Sequence, residues 1–119
     1  MTIEEYQEKA MRTANHDIES ISYRKDSETM IKIDHALIGM VTEIGELADA
    51  IKKFEYYGQP LDRENIKEGL GDIMRYWSLA IDSMGFNVQE VLNYNIEKLS
   101  KRYPDGFNEK SASERKDKK

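Results

Sequence analysis

The chain has 119 residues, a formal net charge of −5 and no cysteine. That length suits one domain with a modest core, and the acidic balance excludes a broad basic nucleic-acid footprint. Disulfides and thiolate metal sites are excluded, which fits a reducing compartment such as the cytoplasm, and neither a membrane-spanning run nor a secretion signal is expected.

Hydrophobic periodicity and capping residues predict helices near residues 2–14, 28–56, 62–84 and 87–102. Thr2 with Glu5 three positions on makes a capping box, and Ile3, Tyr6, Ala10 and Met11 give a short amphipathic face. The stretch from Asn15 to Lys25 is undecided between helix and loop. Ser27 caps the longest predicted helix, whose seam runs Met30, Ile33, Leu37, Met40, Ile44, Leu47, Ile51 and Phe54. These residues alternate spacings of three and four, as in a coiled coil. Gly58 and Pro60 end it.

Asp62 caps the next helix, with the stripe Ile66, Leu70, Ile73, Trp77, Ala80 and Met84 before the stop at Gly85. Asn87, with Glu90 after it, caps the fourth helix, and Pro104 follows its end. No segment alternates as a strand. The expected architecture is an all-α four-helix bundle over residues 1–107, with a polar, disordered tail at 108–119. The long apolar seam exceeds what one small bundle buries, so a homo-oligomer, dimer or tetramer, is expected to complete it.

Acidic residues sit inside the longest periodic stretches: Thr42-Glu43-Ile44-Gly45-Glu46-Leu47-Ala48-Asp49 and Glu68-Gly69-Leu70-Gly71-Asp72. Carboxylates beside a core cost free energy unless a partner compensates them, and a hard divalent cation does so through oxygen ligands. At about 100° per residue, Glu43 and Glu46 lie about 60° apart on a strip shared with Ala36, Gly39 and Ala50. Small residues there let another helix or a ligand approach closely. Asp72 lies on the strip of Asn65, Gly69 and Tyr76. Antiparallel packing of the two helices brings the three carboxylates towards one metal. A plain solvated acidic face is the competing reading.

Asn95, Lys98 and Arg102 recur at three- and four-residue spacings, so they share one helix face. Such a face either is simply solvated or neutralises phosphates. Trp77 reads as core. Tyr76, on the strip of Asp72, reads as the better base-stacking candidate.

The ordered pattern Glu43-Ile44-Gly45-Glu46 followed by Glu68-Gly69-Leu70-Gly71-Asp72 resembles the ExxE…ExxD signature of MazG-like nucleotide pyrophosphohydrolases, which are all-α NTP pyrophosphatases. The resemblance extends to Arg12-Thr13-Ala14-Asn15, to Gly58-Gln59-Pro60-Leu61-Asp62, and to Asn95, Lys98-Leu99, Arg102-Tyr103-Pro104 and Gly106-Phe107. It implies Mg²⁺-dependent hydrolysis, with Mn²⁺ as a substitute, between the α- and β-phosphates of a nucleoside triphosphate. It further implies that Glu43, Glu46, Glu68 and Asp72 act as catalytic metal ligands and that Asn95, Lys98 and Arg102 contact the nucleotide. The physical logic agrees, since metal-activated water needs no protein nucleophile.

Two positions depart from the family pattern. Thr42 stands where the longer signature has Glu, and Gly69 stands where the ligand three before Asp72 is Glu. Glu68 is offset by about 100° from that position, so it either reaches the site by side-chain length or through water, or faces solvent. A Glu at position 69 is expected to aim along the strip towards the metal. The departure keeps a second expectation open, a catalytically weakened relative that binds nucleotide or a protein partner for regulation.

Overall fold

The computed structural model describes residues 1–118, and the expectation of a disordered tail falls outside them for Lys119. The protein is all-α, with α1 Ile3–Met11, α2 Ile18–Lys25, α3 Glu28–Tyr57, α4 Arg63–Ser83, α5 Val88–Arg102, α6 Glu109–Glu114 and a closing 3-10 turn Lys116–Lys118. Thr2 makes its capping box with Glu5. Ser27, Asp62 and Asn87 each accept a backbone N–H at their helix starts. Each cap satisfies a donor that the first turn would leave unpaired.

The first helix ends earlier than its periodicity predicts. The Thr13 hydroxyl donates to the Ala10 carbonyl at 2.7 Å, and His16 Nε2 lies 2.9 Å from the Met11 carbonyl oxygen. These side chains compete for the acceptors that a further turn would use. The undecided stretch contains α2. Asn15 accepts from the Asp17 backbone at 2.9 Å, and Asp17 then caps α2 through the Ser20 N–H. The stretch after 107 carries α6 and the 3-10 turn, which fold back on α5.

The body of the fold is the hairpin of α3 and α4. Gly58 adopts φ 66° at the end of α3, and both its N–H and that of Gln59 return to the Lys53 carbonyl. A left-handed residue there closes the helix and reverses the chain at little steric cost. Asp62 starts α4 five residues after α3 ends.

The two helices meet through small residues. Ala36, Gly39 and Ala50 on α3 are buried, as are Gly69 and Ile81 on α4. A Cβ on Gly39 would lie 2.4 Å from the Tyr76 ring, and one on Gly69 would lie 2.6 Å from Leu47 Cδ2. The register is therefore antiparallel, with Gly39 opposite Tyr76 and Leu47 opposite Gly69. The strip of small residues expected to admit a neighbouring helix is the strip that α4 occupies.

The apolar seam of α3 is mostly left open. Leu37, Ile44 and Phe54 are 51%, 54% and 48% exposed, and Leu70 on α4 is 54% exposed. Among the described residues neither α1 nor α5 packs extensively on the hairpin. The radius of gyration is 20.3 Å, against about 13.5 Å for a compact domain of this length. One chain alone thus leaves the bundle unfilled. Among the described residues, no helix is long and apolar enough to cross a membrane.

The glycines give a direct check of this packing. Gly45 has nothing within 4 Å of a built Cβ, so Gly45→Ala is expected to stabilise the protein by about 0.5–1 kcal/mol through helix propensity alone. Gly39→Ala meets a rigid ring and is expected to destabilise by about 1–3 kcal/mol. Urea unfolding of both variants at one protein concentration measures the opposite signs. Equal shifts would mean that α4 does not pack on Gly39.

Candidate functional site

The α3–α4 register places Glu43 one turn along α3 from Gly39, and Asp72 one turn before Tyr76 on α4. The two carboxylates therefore stand on facing turns of the hairpin. Glu43 and Asp72 are half-buried, whereas Glu46 is exposed. Partial burial pushes the Glu43 carboxyl above its ordinary pKa, and the negative charges of Glu46 and Asp72 push it in the same direction. Arg75 opposes this. The three carboxylates thus act in one electrostatic field.

Glu68 is exposed and is not among the charges acting on Glu43. At position 69 a Cβ would meet Leu47 Cδ2, the end of a flexible side chain, so Gly69 lets α3 and α4 approach closely.

Tyr76, the base-stacking candidate, stands at the helix contact. Its ring fills the space above Gly39, meets the His35 ring edge-on at 5.6 Å, and carries the Arg75 guanidinium 4.4 Å from its centroid. Packing and a cation–π contact already use the ring. Arg75 Nε also lies 3.5 Å from Asp72 Oδ1. Arg75 is the site residue that the pattern analysis missed. Its i,i+3 spacing from Asp72 was the available signal.

Among the described residues, no three His, Asp or Glu side chains converge closely enough to hold a metal ion. The donors nonetheless fit a hard divalent cation in kind, because carboxylate oxygens are what Mg²⁺ and Mn²⁺ take. Partial burial, and then the negative charges of Glu46 and Asp72, disfavour the charged form of Glu43. Glu43, Glu46 and Asp72 are the residues that would hold such a cation.

The basic face of α5 lies apart from this strip. Asn95 is exposed. Lys98 Nζ is 3.9 Å from Asp117 Oδ2, and Arg102 stacks its guanidinium 5.0 Å from the Tyr103 ring centroid. Within the chain α5 packs against the C-terminal segment rather than extensively on the hairpin. A groove of about 570 Å³, lined by Ile33, Trp77, Ile81, Met84, Val91 and Tyr94 among others, remains open between α5 and the hairpin. Trp77 therefore borders a groove as well as contributing to the apolar stripe.

The raised Glu43 pKa has a definite linkage sign. The folded protein binds this proton more tightly than the unfolded chain, so ionisation of Glu43 opposes folding. The penalty is complete above the folded pKa and absent below the unfolded one. Glu43→Gln is therefore expected to raise the melting temperature at neutral pH in chelator, and the gain should fade as the pH drops through the carboxylate range. A gain that is the same at every pH would refute the electrostatic assignment.

Comparison with known proteins gives one match. The family model described as MazG nucleotide pyrophosphohydrolase domain covers residues 32–107. Comparisons with curated proteins and with solved structures find no match. The matched span contains α3 from its second turn on, the turn at Gly58, α4 and α5, and hence both acidic segments and the basic face. More than half of the chain lies within it, and with the all-α fold already established, the chain belongs to the MazG nucleotide pyrophosphohydrolase domain family.

Proposed function

We propose that the protein is a divalent-metal-dependent nucleoside triphosphate pyrophosphohydrolase. The observation that carries this reading is the antiparallel register of α3 and α4, which sets Glu43 and Asp72 on facing turns with Glu46 in the same field. The net reaction adds water across the α–β anhydride of a (d)NTP and yields a (d)NMP and pyrophosphate. Mg²⁺, or Mn²⁺ in its place, supplies Lewis-acid polarisation of phosphoryl oxygens and lowers the pKa of bound water.

The chain's own residues do the remaining work. Glu43, Glu46 and Asp72 bind and orient through carboxylate oxygens and carry the negative charge that selects a hard cation. Arg75, held on the Tyr76 ring, neutralises Asp72 while the strip is empty and keeps its carboxylate in place. Lys98 and Arg102 bind the β- and γ-phosphates, with Asn95 on the same face of α5. For that face to meet the carboxylates, either α5 swings onto the hairpin or a second copy supplies it. The open seam of α3 favours the second copy, since it is the apolar area a homo-oligomer would bury.

A second reading has its own support. Position 69 carries no carboxylate, and no three ligating side chains converge among the described residues. These features favour a family member that binds nucleotide, or a protein partner, for regulation without turnover. Preferred base and sugar do not follow from either reading.

A panel of ordinary and damaged nucleotides with Mg²⁺, followed by product identification, separates the two. Pyrophosphate and monophosphate from wild type, with turnover lowered at least about a hundredfold by Asp72→Asn, is the expected result. Tight nucleotide binding without any product would establish the second reading instead. Light scattering at micromolar concentration is expected to give at least twice the chain mass. A stable monomer would remove the second copy from the account.

A further inference from the structure

The C-terminal segment makes a contact that the family match does not cover, because residues 108–118 lie beyond the matched span. Asn108 caps α6, Arg115 ends it with φ 49°, and the chain turns back so that the 3-10 turn lies on α5. There Arg115 Nε and Nη2 donate to Asp117 Oδ1 and Oδ2 at 3.2 and 3.1 Å. Lys98 Nζ approaches the same carboxylate at 3.9 Å. The Asp117 side chain is 0% exposed. A covered carboxylate is tolerated only where cations and donors replace its water, and Lys98 with Arg115 does so here.

Two further features belong to this place. A polar cavity of about 320 Å³ opens beside Asp117, lined by Tyr94, Glu97, Lys98, Lys101, Asp117 and Lys118. Nearby on α5, Arg102 Nε is covered and has no hydrogen-bond partner. Lys98, Lys101 and Lys118 outnumber Glu97 and Asp117 in that lining, and the covered Arg102 donor lies one turn along α5 from Lys98, so this part of α5 is complementary to an oxyanion.

We propose that residues 109–118 form an intramolecular strap in which the Asp117 carboxylate stands in for a phosphate on the Lys98–Arg102 face of α5, and that a polyphosphate group displaces it. The inference rests on the reading that this face binds substrate phosphates. A tripolyphosphate carries several charges against the single charge of Asp117, and it fits the adjacent cavity in kind. Strap and ligand then compete for Lys98, so the apparent affinity falls by the fraction of molecules with the strap closed.

The test is calorimetric titration of inorganic tripolyphosphate, without metal, into the full chain. The proteins are wild type, Asp117→Asn, Lys98→Ala and the double variant. Asp117→Asn is expected to bind about three- to tenfold more tightly than wild type, and Lys98→Ala more weakly. The gain from Asp117→Asn should shrink in the Lys98→Ala background. Hydrogen exchange at residues 111–118 should quicken when tripolyphosphate is added to wild type. If Lys98→Ala weakens binding but Asp117→Asn does not strengthen it, the strap is overturned while the phosphate face stands. If Lys98→Ala changes nothing, or no variant binds, the phosphate face fails and the strap fails with it.

Discussion

The structure depends on how closely two helices approach. α3 and α4 touch where the small residues Ala36, Gly39, Ala50 and Gly69 receive larger ones. Missing side chains at Gly39 and Gly69 make room for the Tyr76 ring and for Leu47. That contact fixes the antiparallel register, and the register decides which carboxylates face one another. The same contact covers Leu47 of the α3 seam but leaves other seam residues open. The exposed Leu37, Ile44 and Phe54 are then available to something outside the hairpin. A helix has only one circumference, so a small-residue strip committed within the chain leaves the large-residue seam for another surface.

Electrostatics follows from this geometry. Holding carboxylates on facing turns opposes folding to the extent that Glu43 is pushed away from its charged form. Arg75 offsets part of that, poised between Asp72 and the Tyr76 ring. A chain from Gly39 through Tyr76 and Arg75 to Asp72 thus ties the packing of the hairpin to its acidic strip. Substitution at Gly39 would disturb the strip without touching a carboxylate.

Much of the helical framework was legible in the sequence because helix ends are written in local chemistry. Thr2, Ser27, Asp62 and Asn87 cap where their side chains suggest, and Gly58 stops α3. The strip of Ala36, Gly39 and Ala50 was readable as a close-approach surface from size alone. Helix α2 was hidden because its start depends on an Asx turn at Asn15, and its own periodicity is weak. The surroundings of Tyr76 and Gly69 were hidden for a different reason. Position on a strip gives direction, but only the neighbouring helix shows what already fills the space. Tyr76 points along the strip of Asp72 and is used up by Gly39, His35 and Arg75. Asp117 gave no signal at all, since a charged, polar tail looks the same whether solvated or folded back on Lys98.

Glu43, Glu46 and Asp72 are proposed to bind a divalent cation on the strip across α3 and α4. An electron paramagnetic resonance titration of Mn²⁺ into wild type and into Asp72→Asn counts free ion without requiring turnover. Saturable loss of free Mn²⁺ signal is expected with wild type, with a large weakening in the variant. Mn²⁺ binding that is equal in the two proteins, or absent from wild type even with a nucleoside triphosphate present, would contradict it.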